Sequence, residues 1–206
     1  MTGIISLLHR MFGLRVAVLV TALAMLAQVN PLIAQTLDMG KLAGAVFGSG
    51  NQNLVVILHG DGGPGRYDKY AQSVARSVPN TTVVTLTRPG FRGATGASPG
   101  QNGGRDHYTR RNNASLAQAL AAMRSSLRPR RLIVVGHSGG AAQLATIIAT
   151  HPGTVDVAIL AACPCDVPRW RIHRKGQNNW HQSQSPLDFA ARVPRSTRVI
   201  AVTFQN

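Results

Sequence analysis

Gly136-His137-Ser138-Gly139-Gly140 is the stretch of this chain best equipped for chemistry. A serine framed by glycines two positions away on each side is a G-x-S-x-G turn, and it attacks a carbonyl when the turn lifts its hydroxyl clear of the chain. The flanks supply the turn. Residues 132–135 are an aliphatic, partly β-branched run, and residues 141–150 are an Ala-rich helical stretch that stops at His151-Pro152-Gly153. A strand that must become a helix within a few residues strains the serine's backbone. Gly136 and Gly140 stand where a Cβ would strike neighbouring chain. The Gly139 N–H, at the head of the helix, points toward any charge developing on an attacked carbonyl oxygen. Taken alone, the same five residues are a plain tight turn in a chain with 21 glycines.

A second turn supports the first. His59-Gly60-Asp61-Gly62-Gly63 follows the apolar run 54–58, which reads as a strand buried on both faces. Asp61 and Gly62 are the candidates for a second backbone donor to the same oxygen. Two such turns, at the carboxyl ends of separate parallel strands, converge on one crevice. The elements around them read in order as a helix over 67–77 and a strand over 82–86. A loop over 90–104 follows, then a helix over 115–127 capped by Asn112 or Asn113. Strands over 155–162 and 198–203 complete the pattern. Apolar strands alternating with helices predict an α/β domain, a mostly parallel sheet with helices on both faces.

Composition narrows the function classes. Hydrophobic residues make up 44% and charged residues 14%, the balance of a chain with a packed core. The net charge is +15, from 19 Arg and 3 Lys against seven Asp and no Glu. The arginines are scattered and aromatic residues reach only 5%, so the basic stripe interleaved with aromatics that marks a nucleic-acid binder is missing. Any catalytic carboxylate must be an aspartate. Residues 1–34 combine Arg10 and Arg15 with an apolar run over 16–27 and a small residue at Ala34, the pattern of a secretory signal peptide. The expectation is a secreted or periplasmic domain over 40–206, held at a membrane only if the leader stays uncleaved. No stable membrane span is expected after cleavage.

The chain resembles the α/β-hydrolase superfamily, in its esterase, lipase and prolyl-oligopeptidase-like branch. The resemblance lies in LVVILHGDGG (54–63), TVVTLTRPG (82–90), RLIVVGHSGGAA (131–142), HPG (151–153), VAILAAC (157–163), SPLDFAARVP (185–194) and RVIAVT (198–203). It implies a serine hydrolase that cleaves an ester, thioester or amide of a small-molecule or peptide substrate through an acyl-enzyme, without metal or cofactor. It also implies an order of Ser, then acid, then His, with the last two beyond the strand at 198–203. The sequence ends at Asn206, so the expectation is a sheet lacking its last strand and helix, and an impaired enzyme. The alternatives are an inactive binding protein of the same fold and a non-functional fragment. Substitutes within the chain are Asp166 as acid and His173 or His181 as base.

Other polar residues read as structural. His59 braces the glycine turn, His137 points away from the serine, His151 ends a helix, Asp188 caps one, and Asp106 and His107 belong to a loop. Cys163-Pro164-Cys165 reads as packing cysteines, with a labile redox pair as the alternative, because a Cys-x-Cys bridge is strained and a metal site needs more ligands. The basic run 169–175 reads as a solvated insertion anchored by Trp170 and Trp180, with a cap that selects anionic or aromatic substrates as the alternative. Asn80 and Asn113 begin glycosylation sequons.

Overall fold

The structure is a computed structural model that describes residues 37–102 and 105–203; the leader expected over 1–34 lies outside them. In chain order the elements are β1 (Gly44–Phe47), β2 (Asn53–Leu58), α1 (Tyr67–Ser77), β3 (Thr81–Leu86) and the two-residue strands β4 (Arg92–Gly93) and β5 (Gly96–Ala97). Next come α2 (Arg110–Leu127), β6 (Arg131–His137), α3 (Gly139–Thr150), β7 (Val157–Ala161) and α4 (Val167–Lys175). A 3-10 helix over Pro186–Arg192 leads into β8 (Arg198–Val202). The main sheet has the order β1-β3-β2-β6-β7-β8, and β4 pairs with β5 as a separate hairpin. All neighbours in the main sheet are parallel except β1, which runs antiparallel to β3.

The apolar runs become central strands because both of their faces are covered. On β2, Leu54, Val56 and Leu58 join Leu116, Leu120 and Met123 of α2 and Leu144 and Ile147 of α3 in the larger core cluster. Val55 and Ile57 join Ala71 and Val74 of α1 on the opposite side. Helices therefore lie on both faces. From Gly139 to Ala149, α3 is buried at every residue, so its Ala and Ile run is hydrophobic all round, as a fully enclosed helix requires. Since β2, β3, β6, β7 and β8 run in parallel, their carboxyl ends share one edge. The turn after β2 and the turn after β6 meet there.

Four expectations need correction. Helix α2 starts at Arg110, and its cap is Thr109, whose Oγ1 accepts the Asn112 N–H. Asn112 and Asn113 turn inward instead: the Asn112 amide donates to Gln101 O and His107 O, and the Asn113 amide to Tyr108 O and Gln184 Oε1. Being 1% exposed, Asn113 presents no sequon at the surface. The loop 90–104 contains the β4–β5 hairpin, and the basic insertion contains α4, capped by Asp166. Cys163 and Cys165 are joined by a disulfide. Their Cα atoms lie 5.1 Å apart, inside the ordinary bridging range, because the chain doubles back through Pro164. Both still pack against the core.

Two outcomes follow. Unreduced folded protein should resist iodoacetamide, and reduction should expose two alkylatable thiols by intact mass. Gly140→Ala should lower stability by about 3 kcal/mol in urea unfolding, since overpacking next to rigid backbone sits at the costly end of its range. The added carbon would lie 2.4 Å from Leu58 O.

Candidate active site

Ser138 caps α3 with φ 50° and ψ −118°, the left-handed strand-to-helix reversal that the glycine spacing predicts. Its own N–H donates to Ala161 O on β7, while its carbonyl accepts from Ala141 and Ala142. The backbone is thus pinned on both sides of the strained residue. A Cβ on Gly136 would lie 2.6 Å from Ala141 Cα. Only glycine lets the strand and the first turn of α3 come so close. Ser138 is half-buried and borders open space.

The turn after β2 abuts this elbow. A Cβ on Gly60 would lie 3.3 Å from Ser138 Cβ and 3.1 Å from His137 Nδ1. Gly63 N–H closes the turn by donating to Gly60 O at 3.1 Å, which leaves Asp61 and Gly62 at its tip. Gly60, Asp61, Gly62, Tyr67, His137, Ser138 and Trp170 line a cleft of about 500 Å³. Among the described residues the Asp61 N–H donates to no protein acceptor. The Gly139 N–H is free of an i−4 partner by its place at the helix start. The Gly139 amide stands at the N-terminal, electropositive end of α3, and the Asp61 side chain lies against it.

Beneath the turn lies a buried charge. The Arg88 side chain, with no exposed surface, donates to Asp61 Oδ1 at 2.6 Å, and the Tyr108 hydroxyl donates to Asp61 Oδ2 at 2.7 Å. Burial and the neighbouring carboxylate push the Tyr108 phenol above its ordinary range, so it stays a donor. His59 locks the same corner: its Nε2 accepts the Arg88 backbone N–H at 3.0 Å, so its proton sits on Nδ1 and faces Gly60 O at 2.7 Å. On the cleft side, Tyr67 Oη accepts from Gly60 N–H and lies 2.7 Å from His137 Nδ1.

The structure brings Ser138, Gly139, Asp61 and Gly62 together and leaves the proposed substitutes elsewhere. Asp166 spends a carboxylate oxygen on the Arg169 N–H at the head of α4. His173 is exposed in the last turn of α4, and His181 is exposed in the segment after it. None of the three lines the cleft. His137, expected to point away, is exposed and lines the cleft beside Ser138. Asp106 ties its loop to Gln182 N–H and Ser183 Oγ. The basic run is anchored by Trp180, which is 5% exposed beneath the Arg171 guanidinium, while Trp170 faces the cleft. Sequence reasoning missed Tyr67, Arg88 and Tyr108, and read Trp170 chiefly as an anchor of the basic insertion. Only Arg88, next to a Pro-Gly turn at the end of a buried strand, carried a signal that could have found it.

Burial, followed by the Arg88 charge, pulls His59 down from 6.5 to about 4. Between those values the unfolded imidazole binds a proton that the folded one refuses, so stability falls as pH drops through that window. The size is about 2–3 kcal/mol for one such group. Urea midpoints measured from pH 7 to 4.5 should fall accordingly, and a flat profile would contradict the buried neutral His59.

The model of the alpha/beta hydrolase family matches residues 55–204. Esterase PE8 superposes with a TM-score of 0.53 at 17% identity, over 81% of this chain and 91% of its own. The monoacylglycerol lipase of Paleococcus ferrophilus gives a TM-score of 0.51 at 15% identity, over 80% of this chain and 77% of its own. A marine microorganism esterase is 22% identical over 58% of this chain with a TM-score of 0.43, and the chain spans 40% of that esterase's length. No curated protein matches the sequence. With its elbow, all of its central sheet but β1 and the start of β2, and most of its length inside the matched region, the chain belongs to the alpha/beta hydrolase family.

Proposed function

We propose that this chain is a serine hydrolase opening an ester or amide bond of a small-molecule or peptide substrate through an acyl-enzyme on Ser138. The reading rests on one observation. Ser138 sits at φ 50° on the head of a buried helix, in a cleft shared with the turn at Gly60. In the proposed reaction Ser138 Oγ bonds to the substrate carbonyl carbon and the carbonyl electrons move onto oxygen. The N–H groups of Gly139 and Asp61, with Gly62 beside them, receive that charge. Collapse breaks the bond to the leaving group, which departs as an alcohol or amine carrying the proton that left Ser138 Oγ; water then adds to the acyl carbon, releases the acid and returns a proton to Oγ.

Each step also needs a proton carrier. Among the described residues no histidine or carboxylate is hydrogen-bonded to the Ser138 hydroxyl. Turnover by this chain alone is therefore proposed to be weak. A serine protease stripped of its triad keeps about 10³–10⁴ over water from its oxyanion hole and binding alone. The same observation favours a second reading, a binding protein that uses the cleft without turnover. The leader pattern over 1–34 adds the proposal of work outside the cytoplasm, and no helix of the described residues is long and apolar enough to cross a membrane.

A fluorophosphonate probe separates the two readings. Folded protein should label slowly, at Ser138 by tandem mass spectrometry, and Ser138→Ala should abolish labelling without shifting the melting temperature. Folded wild-type protein that never labels would favour the binding role.

A further inference from the structure

Arg88 is a fully buried cation at the end of β3, and its contacts converge on the turn that carries Asp61. Nη2 donates to Asp61 Oδ1, Nη1 donates to Gln143 Oε1 on α3 at 2.9 Å, and the guanidinium lies 4.7 Å from the centre of the Phe91 ring. Gln143 is held in turn by Asn113 Oδ1 at 2.9 Å. The Asp61 carboxylate is pressed against the elbow. A Cβ on Gly139 would lie 2.1 Å from Asp61 Oδ1 and 2.6 Å from the Tyr108 hydroxyl. Gly139 is therefore glycine for a reason other than backbone freedom: the carboxylate and the phenol occupy the space where its side chain would stand. That contact is to the Cα of Gly139, and among the described residues no hydrogen bond joins the carboxylate to the Gly139 N–H.

We infer that Arg88 and Tyr108 are positioning residues. By clamping the Asp61 side chain beneath the elbow, they fix the Asp61 backbone N–H at the position where an oxyanion would form. The inference rests on the proposed serine chemistry for its functional meaning, but the clamp itself is a property of the fold. The physical logic is one of competition with water. The Asp61 side chain is 27% exposed, so without its donors it can swing outward to be solvated. The peptide at the tip of the turn then rotates with it. Three glycines in the turn, Gly62, Gly63 and Gly65, have no heavy atom within 4 Å of an added Cβ. Packing at those positions leaves room for the rotation, so resistance falls to the Gly63–Gly60 hydrogen bond that closes the turn and to the clamp on the Asp61 side chain. Arg88 also cancels the Asp61 charge, so the carboxylate does not repel a developing oxyanion nearby. A lysine cannot take over fully, because one ammonium lacks the planar fork that reaches both Asp61 and Gln143.

The test reads two quantities on full-length folded protein. Hydrogen exchange by mass spectrometry follows peptides over 59–66, and the second-order rate of fluorophosphonate labelling follows Ser138. Arg88→Met should speed exchange of 59–66 at least tenfold and slow labelling at least tenfold, with α3 and β6 peptides unchanged. Arg88→Lys should recover part of both. Because Arg88→Met takes the shared donor away from Asp61 and the buried Gln143 and can fail to fold, Tyr108→Phe is the second variant. It removes one hydroxyl and should give about a threefold change in each readout at an unaltered melting temperature. Asp61→Asn combined with Tyr108→Phe should be no worse than Asp61→Asn alone, as expected of residues acting through one carboxylate. Unchanged exchange and labelling in folded Tyr108→Phe and Arg88→Lys would overturn the clamp. Wild-type protein that refuses the probe while 59–66 still loosens in the variants would defeat the hydrolase reading and leave the clamp standing.

Discussion

At Ser138 a buried strand has no room to do anything but reverse. Its amide is taken by β7, its carbonyl by the first turn of α3, and glycines at 136 and 140 let backbone approach backbone to within what a methyl group would forbid. The left-handed φ is the residue of those constraints, and holding a non-glycine residue there costs on the order of 1–3 kcal/mol. The surrounding parallel strands and the enclosed α3 supply the packing that maintains it. Everything of functional interest is placed by that reversal: the hydroxyl at the cleft, the Gly139 amide at the helix head, and the turn of Gly60 against the elbow.

Electrostatics gives the same site a second kind of definition. With seven aspartates and no glutamate in a chain of net charge +15, carboxylates are scarce, and six of them are already engaged. Asp38 bonds the Gly40 amide, Asp68 accepts from Thr85, Asp106 ties its loop down, Asp156 pairs with Arg124, and Asp166 caps α4. Asp61 is bound to Arg88 and Tyr108. A histidine seeking an orienting carboxylate finds each of these committed to structure. The buried Arg88 is tolerable only because a carboxylate, an amide oxygen and an aromatic face surround it.

Which parts of this were readable in the sequence follows from where the forces are local. Continuous β-branched runs announce buried strands because both faces are covered, so β2, β3, β6 and β7 were legible, as was the elbow between β6 and α3. The antiparallel β1 was not: three half-buried residues and the exposed Val46 carry no period. The start of α2 was misplaced because Asn112 and Asn113 look like caps, yet their amides serve tertiary contacts that no local window reveals. The disulfide was discounted on spacing, although the chain doubling back at Pro164 brings the two Cα atoms within reach. At the site, the glycines and Ser138 declared themselves through backbone demands. Arg88, Tyr108 and Tyr67 meet Asp61, Gly60 and His137 only across the fold, and sequence separation hides such partners.

The most direct test of the account is a crystal structure of the phosphonylated protein. A phosphonate bonded to Ser138 Oγ, with its phosphoryl oxygen about 3 Å from the amides of Gly139 and Asp61, is the predicted result. A phosphoryl oxygen turned away from both amides, or a probe carried on another residue, would contradict it.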